Sequence, residues 1–286
     1  MNFKDFDKEV RNLFDDYFEV SNKLKVVTKN IDDISITSEG ELSGKTLNAS
    51  VSVSRPDALI SLDKLKVKSD GRVLLECSYN TSDSAKMTLA IEDGKQEAGK
   101  PAKSFGKLGF ELNNPSAFNF TTDIDVVNGP LVRSTFYRPL GAYGVAGELV
   151  CNTHLDEGLQ DSKPEFSEIN MGLRYIGPNY KMFVRTLDLF SAYRFSYIHN
   201  IKGNISIASQ VDYRLKNNQG QKFTLACNYK HDDSLTIKGK IDSAATLSSS
   251  LIHSLNPSMK LVLSAEVDLQ ASSSDNHKSG VSIIIN

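Results

Sequence analysis

The chain has 286 residues with 33 Lys+Arg against 35 Asp+Glu, a formal net charge of −2, and 40% hydrophobic residues. It is too apolar and too balanced in charge for a disordered chain, and the lack of a basic surplus argues against nucleic acid as a partner. Cys77, Cys151 and Cys227 are widely spaced, with no CxxC or Cys/His cluster, which argues against a zinc site and fits a reducing compartment.

The first twenty residues read as an amphipathic helix. Phe3, Phe6, Val10, Leu13, Phe14 and Tyr17 recur at helical spacing, and Lys4, Asp5, Lys8, Glu9, Arg11, Asn12, Asp15 and Asp16 fill the other face. The same pattern fits a surface helix on a soluble domain. Met1 to Val20 lacks the apolar core of a signal peptide.

From Leu24 onward the period changes to two. Leu47, Ala49, Val51 and Val53 alternate with Asn48, Ser50, Ser52 and Ser54, and Ile205, Ile207, Ser209, Val211 and Tyr213 alternate with Ser206, Ala208, Gln210, Asp212 and Arg214. Such runs are strands with one apolar and one polar face. Turn signals such as Ser69-Asp70-Gly71, Gly177-Pro178-Asn179 and Asn256-Pro257 separate them. Nineteen runs can be placed. They begin near Leu24, Ile34, Lys45, Leu59, Arg72, Lys86, Gly106, Phe118, Leu131 and Tyr143, then near Ser167, Tyr180, Ala192, Asn204, Lys222, Leu235, Thr246, Lys260 and Ser279.

A meander this long, with no second helical pattern and no linker, exceeds a two-sheet sandwich and lacks a propeller's repeated motif. A closed barrel removes every free edge. No run approaches the ~18 apolar residues of a transmembrane helix, but barrel strands span a membrane with ~9–11 residues. With so many strands the interior is too wide for side chains to fill, so the apolar face is expected to meet lipid and the polar face a wet lumen. Lys64, Lys66 and Lys68 hold alternate positions of one run, Lys238 and Lys240 of another, and Arg174, Arg214, Lys222 and Lys260 add to the set. The competing reading places these cations on a solvated soluble sheet, which then needs a packed core on its other face.

Cys227 to Leu269, "CNYKHDDSLTIKGKIDSAATLSSSLIHSLNPSMKLVLSAEVDL", and the closing "HKSGVSIIIN" resemble the C-terminal strands of the mitochondrial voltage-dependent anion channel, or eukaryotic porin, family. "KDFDKEVRNLFDDYF", from Lys4, resembles the family's N-terminal helix, and "DIDVVNGPLVRSTFYRPLGAYGVAGELVCNT", Asp123 to Thr153, follows its hairpin pattern. The resemblance implies an all-β fold: a single 19-stranded transmembrane barrel, antiparallel except for a parallel first–last pair, with the helix inside the pore. Residues 1–22 would form helix and linker, and 23–286 the barrel.

The resemblance also implies function and sites. The function is passive, voltage-dependent passage of ions and small hydrophilic metabolites such as ATP and ADP across the mitochondrial outer membrane, with no catalysis and no cofactor. Lys8 and Arg11 match basic helix positions of the pore constriction. Lys4, Asp15, Asp16, Lys64, Lys66, Lys68, Lys238 and Lys240 join them as expected pore-lining residues, the wall lysines attracting phosphates weakly. Lys278, Gly280, Ile283 and Ile285 fit the outer-membrane sorting signal of polar-x-Gly-x-x-apolar-x-apolar form. Asp63 falls where some members place a lipid-facing acid, where a carboxylate is costly to ionise; a bulge would instead turn it inward.

Two departures bear on gating and selectivity. The segment Tyr17-Phe18-Glu19-Val20-Ser21-Asn22 lacks the family's glycines, which puts a mobile helix in doubt. The first twenty residues carry three cations against six acids, so weaker anion selectivity is expected than the family name suggests. Two rivals share the fold: the protein-conducting barrel of the outer-membrane translocase, whose members usually carry an extension ahead of the helix, and a structural barrel within such an assembly. Beyond permeants, the expected partners are membrane lipids and either copies of the chain or a translocase complex. His154, His199, His231, His253 and His277 are isolated, and no HExxH, GxSxG or P-loop pattern occurs.

Overall fold

A computed structural model describes residues 3–29, 33–44, 46–57, 59–82, 84–94, 104–114, 117–127, 130–153, 165–215, 221–270 and 277–286. His154 and most of the 153–164 connection lie outside the described residues.

Among the described residues nineteen strands follow one short helical segment. They are β1 (Asn22–Lys29), β2 (Ser35–Ser43), β3 (Thr46–Arg55), β4 (Ile60–Lys68) and β5 (Val73–Ser82). Next come β6 (Ala85–Asp93), β7 (Phe105–Asn114), β8 (Phe118–Asp125), β9 (Leu131–Leu140) and β10 (Tyr143–Asn152). After the long connection come β11 (Glu165–Ile176), β12 (Tyr180–Leu187), β13 (Ala192–Lys202), β14 (Ile205–Arg214) and β15 (Lys222–Lys230). The last four are β16 (Leu235–Asp242), β17 (Thr246–Asn256), β18 (Met259–Asp268) and β19 (Lys278–Ile285). Every run read from the sequence begins within two residues of an observed strand.

Each strand pairs antiparallel with the next, and the sheet closes where β1 meets β19. That last pair is parallel, with Lys23 beside Ser282 and Val26 beside Ile285. Closure leaves no row of unpaired amides, which is what a strand-built structure in lipid requires.

Alternation sorts the side chains. Met87, Leu89 and Ile91 of β6, Leu65 and Val67 of β4, and Leu108 and Phe110 of β7 are all exposed on the outer face. Apolar exposure repeated around the wall is unfavourable in water and matches hydrocarbon. The chain has no Trp, and tyrosine supplies an interfacial girdle instead. Along one rim the Tyr143 ring packs at a tilt against Tyr175 across β10 and β11 (5.0 Å between ring centroids), Tyr175 against Tyr180 (5.6 Å) and Tyr180 against Tyr197 (6.1 Å).

The N-terminal segment is less helical than its pattern suggests. A 3₁₀ turn spans Phe3–Asp5, and α1 covers only Lys8–Phe14. Tyr17 adopts φ 69°, a left-handed conformation that ends any helix and turns the chain toward β1. Phe3, Phe6, Val10 and Phe14 nevertheless remain on one buried face.

Candidate pore and its constriction

The only sizeable cluster of buried apolar residues among those described lies inside the barrel, between the N-terminal segment and the wall. Phe3, Phe6, Val10 and Phe14 pack with Tyr137, Ala146, Phe183, Ile198, Ala208 and Ala226. These wall residues point inward from β9, β10, β12, β13, β14 and β15. Phe6 stacks on Phe3 (6.1 Å) and meets Phe183 (5.9 Å) and Tyr137 (6.4 Å) edge-on. Gly172 of β11 makes room for it: a Cβ there would lie 2.8 Å from the Phe6 ring. Fully burying such a side chain contributes about 1.5–3 kcal/mol.

Charge fixes the register of this seat. Asp7, almost fully buried, accepts from Arg185 of β12 (3.0 Å) and from Arg11 one turn on (3.1 Å). Lys181 of the same strand pairs with Glu9. At the other end, Lys238 Nζ donates to the carbonyls of Asn12 (2.7 Å) and Asp16 (3.1 Å), and Lys240 Nζ to that of Phe14 (2.9 Å). The last carbonyls of a helix have no partner within it and carry the negative end of its dipole. Two lysines of β16 supply both the donors and the positive charge. Lys240 also sits 4.6 Å from the Phe18 ring centroid, and Lys238 5.3 Å from that of Tyr17.

Lys238 and Lys240 therefore point into the lumen, but they hold the helix where free attraction of phosphates was expected. Lys66 and Lys68 are also in ion pairs. Glu39 bridges Lys66 (3.3 Å) and Lys25 (3.2 Å), and Glu92 takes Lys68 (2.7 Å). Lys64 lies on the same face of β4, in register with Glu76. Lys8, Asp15 and Asp16 are exposed to the lumen from the helix and the turn after it, and Lys4 lies in the 3₁₀ turn. Arg11 and Asp15 line a cavity of about 400 Å³ with Arg194, Asp212, Lys222 and Lys240. It is rich in both signs of charge.

Asp63 sits where the β4–β5 register shifts, between Leu62 and Lys64. The lipid-facing expectation depends on unbroken alternation, and the bulge interrupts it. The Asp63 carboxylate lies 3.6 Å from Lys86 Nζ, on the strand face that also carries Glu92. In β19, Lys278 pairs with Glu266 (3.3 Å), Gly280 faces inward opposite Ser264, and Ile283 and Ile285 lie opposite Leu261 and Met259.

The seat itself was not singled out in the sequence. Its signal is in β12, where Lys181, Phe183 and Arg185 share the lumenal face: an apolar residue between two cations on a wall expected to be wet. Ala146, Ala208 and Ala226 are the second sign, small residues where the helix approaches closely.

A closed transmembrane β-barrel with a polar inner wall and a helix seated along one side is a channel-forming architecture. Residues 1–280 match the eukaryotic porin family, and the chain belongs to that family. A probable voltage-dependent anion-selective channel of Caenorhabditis elegans is 25% identical over 63% of this chain, an alignment spanning 59% of the nematode protein. The mitochondrial outer membrane protein porin of 36 kDa from Solanum tuberosum is 22% identical over 94% of this chain and 92% of its own length. The mitochondrial outer membrane protein porin of Candida albicans is 22% identical over 62% of this chain and 60% of its own. The protein is a porin of the mitochondrial outer membrane.

Proposed function

We propose that the barrel conducts ions and small hydrophilic metabolites, adenine nucleotides among them, by passive diffusion, that it closes in response to voltage, and that its preference for anions is weak. The observation that carries this reading is the position of the helix. Its described contacts run along β9 to β16, and those of the linker reach β18 and β19, so the charged wall of β2 to β8 faces the lumen beside it. Solutes that stay hydrated pay little to cross such a lumen, and flux stays fast only while wall binding is weak. Weak selectivity follows from neutralisation: Glu39 and Glu92 occupy Lys66 and Lys68, carbonyls occupy Lys238 and Lys240, and the first twenty residues carry a net charge of −3. No step of this function requires catalysis.

The firmly anchored helix favours a second reading, a static barrel within a larger outer-membrane assembly. Conductance of the purified protein in a planar bilayer, swept in voltage under a salt gradient, separates the two. A nanosiemens-scale pore that closes at both polarities, with a reversal potential near zero, supports the channel. A silent barrel shown to be folded, and co-purifying with translocase subunits at fixed stoichiometry, supports the structural subunit.

A further inference from the structure

The linker between helix and barrel is pressed against the closing strand. Gly280 of β19 faces inward, and a Cβ built there would lie 2.7 Å from the carbonyl carbon of Val20 and 2.8 Å from both N and O of Ser21. All three are backbone atoms, which cannot rotate aside as a side-chain tip can. Glycine at this position lets the two main chains touch. Polar groups on both sides hold the contact. The Ser264 hydroxyl, opposite Gly280 on β18, donates to the Glu19 carbonyl. Glu19 also pairs with Lys23 at the start of β1 (3.1 Å), and the Val281 amide lies 3.3 Å from the Asn22 side-chain oxygen.

We propose that Gly280 is a positioning residue for the lumenal helix: it forms a flat latch on the closing strand that holds the linker to the wall and so sets how much of the time the helix occupies the pore. This is a task apart from any part Gly280 plays in sorting. Lys238 and Lys240 grip the helix end, but the chain from Phe18 to Asn22 must follow the wall for that grip to be reached. Any side chain at position 280 lifts this stretch off β19 and separates Glu19 from Ser264. The missing glycine of the linker and the glycine of the wall are two sides of one arrangement. Freedom is absent in the moving segment, and close approach is built into the surface on which it rests.

The test uses the full-length protein, refolded and reconstituted in lipid vesicles so that cellular sorting plays no part. Trypsin is added and cleavage after Arg11 is timed. A folded protease does not enter a lumen occupied by the helix, so cleavage reports the helix leaving its seat while the closed barrel stays resistant. Gly280→Ala is expected to be cut about tenfold faster than the parent, in proportion to the open population. Gly239→Ala, on β16 with open space around its Cβ, serves as the control and is expected to match the parent. Equal cleavage of Gly280→Ala and the parent overturns the latch, as does equal acceleration by Gly239→Ala. Should Gly280→Ala fail to form a barrel, Ser264→Ala decides: faster cleavage supports the latch, and parental cleavage overturns it. The proposal rests on the lumenal seat of the helix and not on which solutes pass. A silent barrel whose Gly280→Ala helix is freed would sink the permeation reading alone.

Discussion

The Lys238 ammonium lies 2.7 Å from the main-chain carbonyl oxygen of Asn12, 226 positions away in the chain. Lys238 is only 8% exposed, so its charge is compensated by the helix end and by the neighbouring aromatic faces of Tyr17 and Phe18. Lys238→Met keeps the apolar stem but removes the donor, leaving the Asn12 and Asp16 carbonyls without it. A hydrogen bond to a charged group is worth about 1.5–3 kcal/mol. Hydrogen exchange of the amides of residues 8–18 should accelerate by roughly ten- to a hundredfold, with the strand amides unchanged. Unchanged helix protection would show that the cap carries no weight.

The Phe6 ring is the second anchor. Phe6→Ala empties the space between Phe3, Tyr137 and Phe183, a truncation that costs about 3–5 kcal/mol in a packed core. The loss falls on the docked helix, because β9, β10 and β12 keep their ladder hydrogen bonds. Single-channel records of Phe6→Ala should show a noisier open state, while circular dichroism shows unaltered strand content and an unaltered thermal midpoint. Gly172→Ala should disturb the same record, since its methyl would lie 2.8 Å from the edge of the Phe6 ring and must displace it. A fall in strand content in either variant would place these residues in barrel stability.

Outside the membrane-spanning strands, the turn from β15 to β16 is closed by Asp232. Its carboxylate accepts from the Ser234 hydroxyl, the Ser234 amide and the Leu235 amide, each at 2.7 Å. The Ser234 hydroxyl is the largest influence, and together these donors hold the Asp232 pKa below the ordinary aspartate value. A pKa depressed by folding means the ionised turn is favoured above the unfolded value, and that contribution disappears as pH falls through the folded one. Proton titration followed by NMR on the Asp232 carboxyl should give a midpoint below that of a free aspartate, and Ser234→Ala should move it upward. A midpoint at the free value would remove the turn's dependence on ionisation.

How much of this was legible in the sequence follows from what each feature depends on. Strand alternation is a local property imposed by lipid on one side and water on the other, so nineteen runs could be placed from residue order, whereas the parallel closure came only from the family resemblance. Helical spacing runs further than the helix itself, which covers only Lys8–Phe14. Phe3 to Tyr17 keeps helical spacing because one face must be buried, yet the helix breaks before Lys8 and the positive φ of Tyr17 turns the chain toward β1. The roles of Lys238 and Lys240 were hidden, because a lysine that caps a distant helix and a lysine that lines a pore occupy the same alternate position of a strand. Asp63 illustrates the limit of parity. A bulge shifts the register at that residue, and nothing in "ISLDKLKVK" marks it.

The acidic partners of the wall lysines give the most direct test of selectivity. Glu39 lies between Lys25 and Lys66, so Glu39→Gln removes one negative charge and releases two positive ones into the lumen. The reversal potential in a salt gradient should move toward anion preference, with Lys66→Gln moving it the other way. A single wall charge in a hydrated pore acts through a high dielectric, so the permeability ratio should change by no more than about twofold. The two shifts should shrink together as ionic strength approaches ~1 M, where the screening length falls to ~3 Å. If Glu39→Gln leaves the reversal potential where it was at low salt, the β2–β4 wall does not govern ion choice, and the charges around the helix, Arg11, Asp15 and Arg194 above all, become the place to look.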